Sequence, residues 1–264
     1  MTDKSTQYAD SPDGTRIAFD ATGHGPTIIL LHGAGQSRKD WHDAGYIEQL
    51  KDRYRLIAMD IRGNGDSAKP IDSAAYTTEK LGQDILAVAD ACGTQQFVIW
   101  GFSYGGNIGR YLAAKSERVA GIAIIGIPFG VGASGAFRES IERMRQHWVP
   151  ILEAQRNGTL DEDALAAEDR GALQGGNVPL ALAWLSAMLD WGSNRPEDLV
   201  APALWLIGSE NAEAIASLKE HENTLSSTRV RPQVVHGLTH LQEFTDTQAV
   251  LPLLTSFTDS LSIR

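Results

Sequence analysis

The chain is poor in cysteine, in basic charge and in long apolar runs, and each shortage excludes something. Its single cysteine, Cys92, can form no intrachain disulfide, so folding does not require an oxidising compartment. Cys92 falls in "VADACG", at the end of an expected helix and without an activating neighbour, and reads as an inert, packed thiol. Lysine and arginine number 23 against 33 aspartates and glutamates, a formal charge of −10. With no basic surplus to release counterions, a nucleic-acid partner is not expected. The longest apolar run, "VAGIAIIGIPF" at 119–129, is too short to span a bilayer, and "MTDKSTQYAD" lacks the apolar core of a signal peptide. The expectation is a cytoplasmic protein with no membrane partner. Repeats, low-complexity tracts and charged blocks are also missing.

What is present is a globular composition, 42% hydrophobic and 21% charged over 264 residues, long enough for one α/β domain with a sizeable core. "YADSPDGTRIAFDATG" predicts two strands joined at the Asp13-Gly14 turn. Apolar runs at 27–33, 54–60, 95–101 and 119–126 predict strands buried on both faces. Between them, 78–91 opens on a threonine with an early glutamate and then keeps helical spacing, and a second helix follows "WGFS". Strands alternating with helices predict a mostly parallel central sheet flanked by helices.

The alternation stops at about 134–198, where no convincing strand appears and amphipathic stretches take over. In "AFRESIERMRQHWVPIL", Phe137, Ile141, Met144, Trp148 and Ile151 fall near one helical face. "PLALAWLSAMLDW" at 179–191 is apolar nearly all round. The βα rhythm resumes with "ALWLIGSEN", "RVRPQVVHG" and a last helix near 246–262. The expected organisation is a core of 1–133 and 199–264 with a helical cap inserted at 134–198, and no independent second domain.

The chemistry centres on "WGFSYGGN". A G-x-S-x-G match alone is weak, but this one sits where a buried strand passes into a helix, as a nucleophile elbow requires. Ser103 is therefore the candidate nucleophile, beside a helix N-terminus whose free N–H groups favour developing negative charge. His240, in the loop after the last strand, is the candidate base, ahead of His236. His236 and His240 also match a metal-ligand spacing, but on a loop without further ligands, so no metal is expected. The glycine-rich "LLHGAGQS" brings the Ala34 N–H to the crevice as one oxyanion donor, with the Tyr104 N–H as the second. His32 reads as a structural histidine of that loop.

Taken together, "HGAG", "DIRGNGDS", "GFSYGG", the late helical insertion and "GLTH" resemble the α/β-hydrolase superfamily across the chain outside the insertion. The resemblance implies an α/β-hydrolase fold, Ser103 as nucleophile, His240 as base, and Ala34 with Tyr104 as the oxyanion hole. It implies no cofactor. A serine at 103 sets the chain apart from haloalkane dehalogenases and epoxide hydrolases, and Asp60 and Arg62 match a turn that is mostly structural. The family's third member is an acid in "G-x-x-D" after the strand that follows the cap. Here that stretch is "GSEN", with Asn211 in the acid's place. Glu210 is the first candidate acid, Asn211 the second and Glu213 the third. An amide orients imidazole but does not stabilise imidazolium by charge.

For the substrate pocket, the candidates are Phe102 beside the nucleophile and Trp184 and Met188 in the apolar stretch. No cluster of arginine or lysine is set to clamp a phosphate or carboxylate; Arg138, Arg143 and Arg145 suit a solvated helix face. The expected reaction is hydrolysis of a small uncharged carboxylic ester or lactone. The same site suits C–C bond hydrolysis, thioester hydrolysis or perhydrolysis. A ligand-binding protein with vestigial turnover is the reading from another class, motivated by Asn211.

Overall fold

The computed structural model describes residues 6–263. Among them, eight strands form one sheet: β1 (Gln7–Asp10), β2 (Arg16–Thr22), β3 (Thr27–Leu31), β4 (Arg55–Met59), β5 (Phe97–Phe102), β6 (Val119–Ile125), β7 (Ala203–Gly208) and β8 (Val230–Val235). The spatial order is β1-β2-β4-β3-β5-β6-β7-β8. Strands β3 to β8 pair in parallel, and β2 runs antiparallel to its neighbours β1 and β4. Every residue of β3, β5 and β7 is buried, which matches their unbroken apolar runs. Edge strand β8 is mostly exposed and carries Pro232, whose missing N–H blunts pairing with another chain.

The chain leaves β3 towards β4 on one side and returns to β5 on the other, so the sheet order reverses between β3 and β5. Ligands of open α/β sheets bind outside the carboxyl ends of strands at such a reversal. Ala34 follows β3 and Ser103 follows β5, so these two residues extend from paired strands at that point.

The helices are α1 (Arg38–Asp43), α2 (Tyr46–Leu50), α3 (Thr78–Ala91), α4 (Tyr104–Ala113), α5 (Gly135–Arg156), α6 (Ala167–Gln174), α7 (Val178–Met188), α8 (Ala212–Leu225), α9 (Gln242–Thr245) and α10 (Thr247–Asp259). Helix α3 buries Leu81, Ile85 and Val88, one stripe at helical spacing, whereas α4 is buried on all sides. Its closeness to β3 depends on glycine. A Cβ on Gly105 would stand 2.3 Å from the Leu31 carbonyl oxygen.

Two compact units divide the chain. The first comprises residues up to Ala68, Thr78–Gly130 and Asn194 onwards, and holds the sheet. A buried Arg110 on α4 ties it internally, donating to Asn107 Oδ1 (3.0 Å), Pro128 O (2.9 Å) and Gly130 O (3.0 Å). The second unit comprises Lys69–Thr77 and Val131–Ser193. It contains α5, α6 and α7, with α7 packed on both α5 and the 3-10 turn Ser73–Tyr76. Trp191 Nε1 donates to the Tyr76 carbonyl at 2.9 Å, which fastens the short segment to the long one. The unit therefore takes in 69–77, a stretch grouped in the sequence with the core. On α5 only Ile141 of the expected apolar face is fully buried.

Candidate active site

Ser103 occupies the turn between β5 and α4 with φ 49° and ψ −116°, and among the described residues it is the one non-glycine with positive φ. Such a conformation is strained for a residue with a Cβ and persists where the surroundings impose it. Here the Ser103 N–H donates to the Ile125 carbonyl (2.9 Å) while its own carbonyl accepts from Asn107 N–H (2.9 Å). The turn thus places the side chain at the carboxyl edge of the sheet.

His240 Nε2 lies 3.0 Å from Ser103 Oγ, across 137 residues of sequence. The imidazole ring stacks on Phe102, with centroids 5.0 Å apart, and Phe102 in turn stacks on Phe244 at 4.9 Å. Phe102 is therefore the floor beneath the imidazole. On the far side of the ring, Nδ1 is 2.8 Å from Glu243 Oε2. The Glu243 side chain is fully buried, while that of His240 is 46% exposed, so the hydroxyl end of the relay faces outward. Glu243 also accepts the Gly208 N–H at 2.6 Å, and its two oxygens lie 3.0 and 3.1 Å from Asn211 Nδ2. With this many donors the buried carboxylate has its hydrogen bonds met without a lysine or arginine partner.

The carboxylate against His240 is thus Glu243, and none of the three residues after β7 considered from the sequence. Glu210 is exposed, and its Oε1 accepts from Ser209 Oγ at 3.1 Å. Its backbone explains why: the Glu210 N–H is held by Leu238 O (3.0 Å), which leaves the side chain in solvent. Glu213 is exposed in the first turn of α8, a favourable place for a carboxylate at a helix N-terminus. Asn211 does approach Nδ1, at 3.3 Å, but its amide donates to Glu243 and to Gly126 O (2.9 Å). Its Oδ1 caps α8 by accepting the Ala214 N–H. A signal for Glu243 existed: it stands three residues after His240, the spacing that puts two side chains on one helical face.

Gly126, after β6, has φ 76°, and a Cβ there would lie 2.1 Å from Glu243 Oε2 and 2.8 Å from His240 Nδ1. The bare backbone at this position makes the room in which the carboxylate and imidazole meet.

Ala34 follows the buried His32, whose Nε2 accepts the Ile61 N–H (3.0 Å) and whose Nδ1 faces Gly33 O (2.8 Å). Gln36 Oε1 accepts the Gly33 N–H at 2.8 Å and braces the loop. Among the described residues, the Ala34 N–H has no protein acceptor. Tyr104 supplies the first N–H of α4. His236 is exposed, and among the described residues no three His, Cys, Asp or Glu side chains gather as a metal-binding group. Asp60 and Arg62 are buried in ion-pair networks, with Arg38 and with Asp13 and Asp84 respectively. Trp184 and Met188 belong to α7 of the second unit, Met188 buried and Trp184 half-buried. No helix among the described residues is long and apolar enough to cross a membrane.

A family profile described as alpha/beta hydrolase fold matches residues 26–172. The chain belongs to the alpha/beta hydrolase family. This alpha/beta hydrolase is 24% identical over 260 residues to a putative 2-succinyl-6-hydroxy-2,4-cyclohexadiene-1-carboxylate synthase of Bacillus subtilis, covering 88% of this chain and 91% of that protein. It is 34% identical over 129 residues to epoxide hydrolase B of Mycobacterium tuberculosis, a match over 46% of this chain and 36% of that enzyme's length. Among solved structures, an esterase from Exiguobacterium antarcticum superposes with a TM-score of 0.73 at 16% identity, covering 97% of this chain and all of the other. At that identity the likeness speaks for the fold. Proteins similar to this alpha/beta hydrolase in sequence thus include epoxide hydrolases, and those similar in fold include an esterase.

Proposed function

We propose that this alpha/beta hydrolase cleaves a small, uncharged carboxylic ester or lactone through an acyl-enzyme on Ser103. The observation that carries the reading is the unbroken run of contacts from Ser103 Oγ through His240 to the buried Glu243 carboxylate. Ser103 Oγ attacks the carbonyl carbon as His240 Nε2 takes its proton. Glu243, accepting from Nδ1–H, keeps the Nε2 lone pair towards Ser103 and stabilises the imidazolium that forms. The Ala34 and Tyr104 N–H groups donate to the carbonyl oxygen as it gains charge. Collapse of the tetrahedral intermediate breaks the C–O bond, and His240 returns its proton to the leaving alkoxide. Water, deprotonated by His240, then attacks the acyl carbon and frees Ser103. With a lactone, the alcohol stays tethered to the acyl group.

A hydroxyl at 103 favours acyl substrates over epoxides, despite the epoxide hydrolases among the relatives. A carboxylate that opens an epoxide leaves an ester, which water can cleave. A serine that opened one would leave an ether, which this site has no means to hydrolyse. The binding-protein reading drew on Asn211, and a carboxylate on His240 supports turnover instead.

Turnover of p-nitrophenyl acetate by the wild type and by Ser103→Ala tests the reading. Multiple turnovers are expected, falling by about 10⁴-fold or more in the variant. A wild type inert towards ester and lactone panels, or a variant that keeps its activity, overturns it.

A further inference from the structure

We propose that Asn211 is a positioning residue that acts on His240 through Glu243, and that the amide at 211 and the acid at 243 can exchange places. The inference rests on the acyl-enzyme reading above.

Asn211 is nine-tenths buried, and its partners determine which way the amide points. Oδ1 accepts the Ala214 N–H, so Nδ2 faces Gly126 O and both Glu243 oxygens, every one an acceptor. The Glu243 carboxylate is therefore held by three neighbours: the Gly208 N–H, the Asn211 amide and the His240 ring. No lysine or arginine among the described residues forms an ion pair with it. Removing the amide leaves a fully buried carboxylate short of a donor and free to turn from Nδ1.

The neutral side chain at 211 is matched to the charged one at 243. A carboxylate at 211 would set its oxygen against Gly126 O and about 3 Å from both Glu243 oxygens, the arrangement in which two acids cannot both ionise. Yet the atom at the Nδ2 position lies 3.3 Å from His240 Nδ1, within ion-pair reach. With aspartate at 211 and glutamine at 243, the carboxylate can accept Nδ1–H from that position. The glutamine keeps the Gly208 N–H on Oε1, and its Nε2, which replaces the oxygen 2.8 Å from His240 Nδ1, turns from the ring to donate to the aspartate. Gly126 O loses its donor, so recovery is partial.

The test compares kcat and KM for p-nitrophenyl acetate in wild type, Asn211→Asp, Asn211→Ala, Glu243→Gln and the double variant Asn211→Asp/Glu243→Gln, with thermal melting as the check on folding. Glu243→Gln is expected to lose about 10³–10⁴-fold in kcat. Asn211→Ala loses about ten- to hundredfold in kcat with KM within about twofold. The double variant exceeds Glu243→Gln by about tenfold or more, a rescue that a merely structural asparagine does not produce. Collapse in Glu243→Gln without rescue in a folded double variant overturns the exchange and leaves the acyl-enzyme reading standing. If the double variant does not fold, Asn211→Ala decides: an unchanged kcat overturns the positioning role. Full kcat in Glu243→Gln overturns the acid itself, and the proposal with it.

Discussion

Glu243 Oε2 meets His240 Nδ1 at 2.8 Å from only three residues further along the chain. Carboxylate and imidazole are thus carried on one short segment, the turn into α9 and the first turn of α9 itself, with Glu243 N–H bonded back to Thr239 O. The segment is fixed in turn by Phe244, whose carbonyl accepts from Tyr46 OH and whose ring stacks beneath Phe102. Orientation of the His240 ring is therefore a local matter, braced by an aromatic stack, and the loop after β7 contributes an amide.

Activity should accordingly track Glu243 and ignore the two glutamates that follow β7, Glu210 and Glu213. Glu210→Gln and Glu213→Gln are expected to keep kcat within about twofold, as solvent-facing substitutions do. Glu243→Gln is expected to lose about 10³–10⁴-fold. Steady-state ester hydrolysis by the three variants side by side checks this, and a large loss in Glu210→Gln would refute it.

Gly126→Ala should damage the relay while leaving Ser103, His240 and Glu243 unsubstituted. The new methyl would fall 2.1 Å from Glu243 Oε2, on a backbone with φ 76°. Displacing the carboxylate is expected to cost about 100-fold in kcat, and the strain about 1–3 kcal/mol of stability. Urea denaturation alongside kinetics measures both; an alanine variant with wild-type kcat would show that the carboxylate has room to move.

Arg110 is buried, and burial pushes its guanidinium down to about 10, against the opposing pull of Tyr111. It persists because it saturates Pro128 O, Gly130 O and Asn107 Oδ1. Arg110→Leu leaves those acceptors unpaired, at about 1–3 kcal/mol for each that finds no water. A total loss of about 3 kcal/mol or more is expected from denaturant midpoints, and a loss under about 1 kcal/mol would contradict the account.

His32 should make the fold acid-sensitive below neutrality. Burial holds its imidazole below the ordinary value of 6.5, outweighing the Gly33 carbonyl and the Asp60 charge. The reason is visible in its bonds: Nε2 must stay bare to accept the Ile61 N–H. A histidine that binds its proton more readily unfolded than folded loses stability as pH falls beneath 6.5. His32→Gln offers Ile61 a carbonyl oxygen that does not titrate. Between pH 7 and pH 5 its denaturation midpoint is expected to fall less than that of the wild type; parallel declines would remove His32 as the cause.

Much of the core was legible because its signals are local. The apolar runs that became β3, β5 and β7 are continuous, since strands buried on both faces have no polar side to show. The capped, periodic stretch at 78–91 coincides with α3. Segment 69–77 was not legible as part of the helical unit, because the bond from Trp191 to Tyr76 joins residues 115 apart. Nor was the shallow burial of α5, whose apolar face is a property of spacing until something packs on it.

In the site the division is similar. Glycines around Ser103 and the strand-to-helix junction mark the elbow, since a sharp turn and close backbone approach restrict which residues can stand there. A carboxylate's partner carries no such mark. Glu210, Glu213 and Glu243 are chemically alike, and each lies within a few residues of a strand end or of His240. What separates them is whether backbone bonds turn the side chain into solvent, as at Glu210, or a bare glycine opens a buried space for it, as Gly126 does for Glu243. The sequence by itself therefore determined the sheet, the elbow and the candidate histidine. Only the tertiary structure decided which acid faces that histidine, because the space it fills is built by β6, β7 and α9 together.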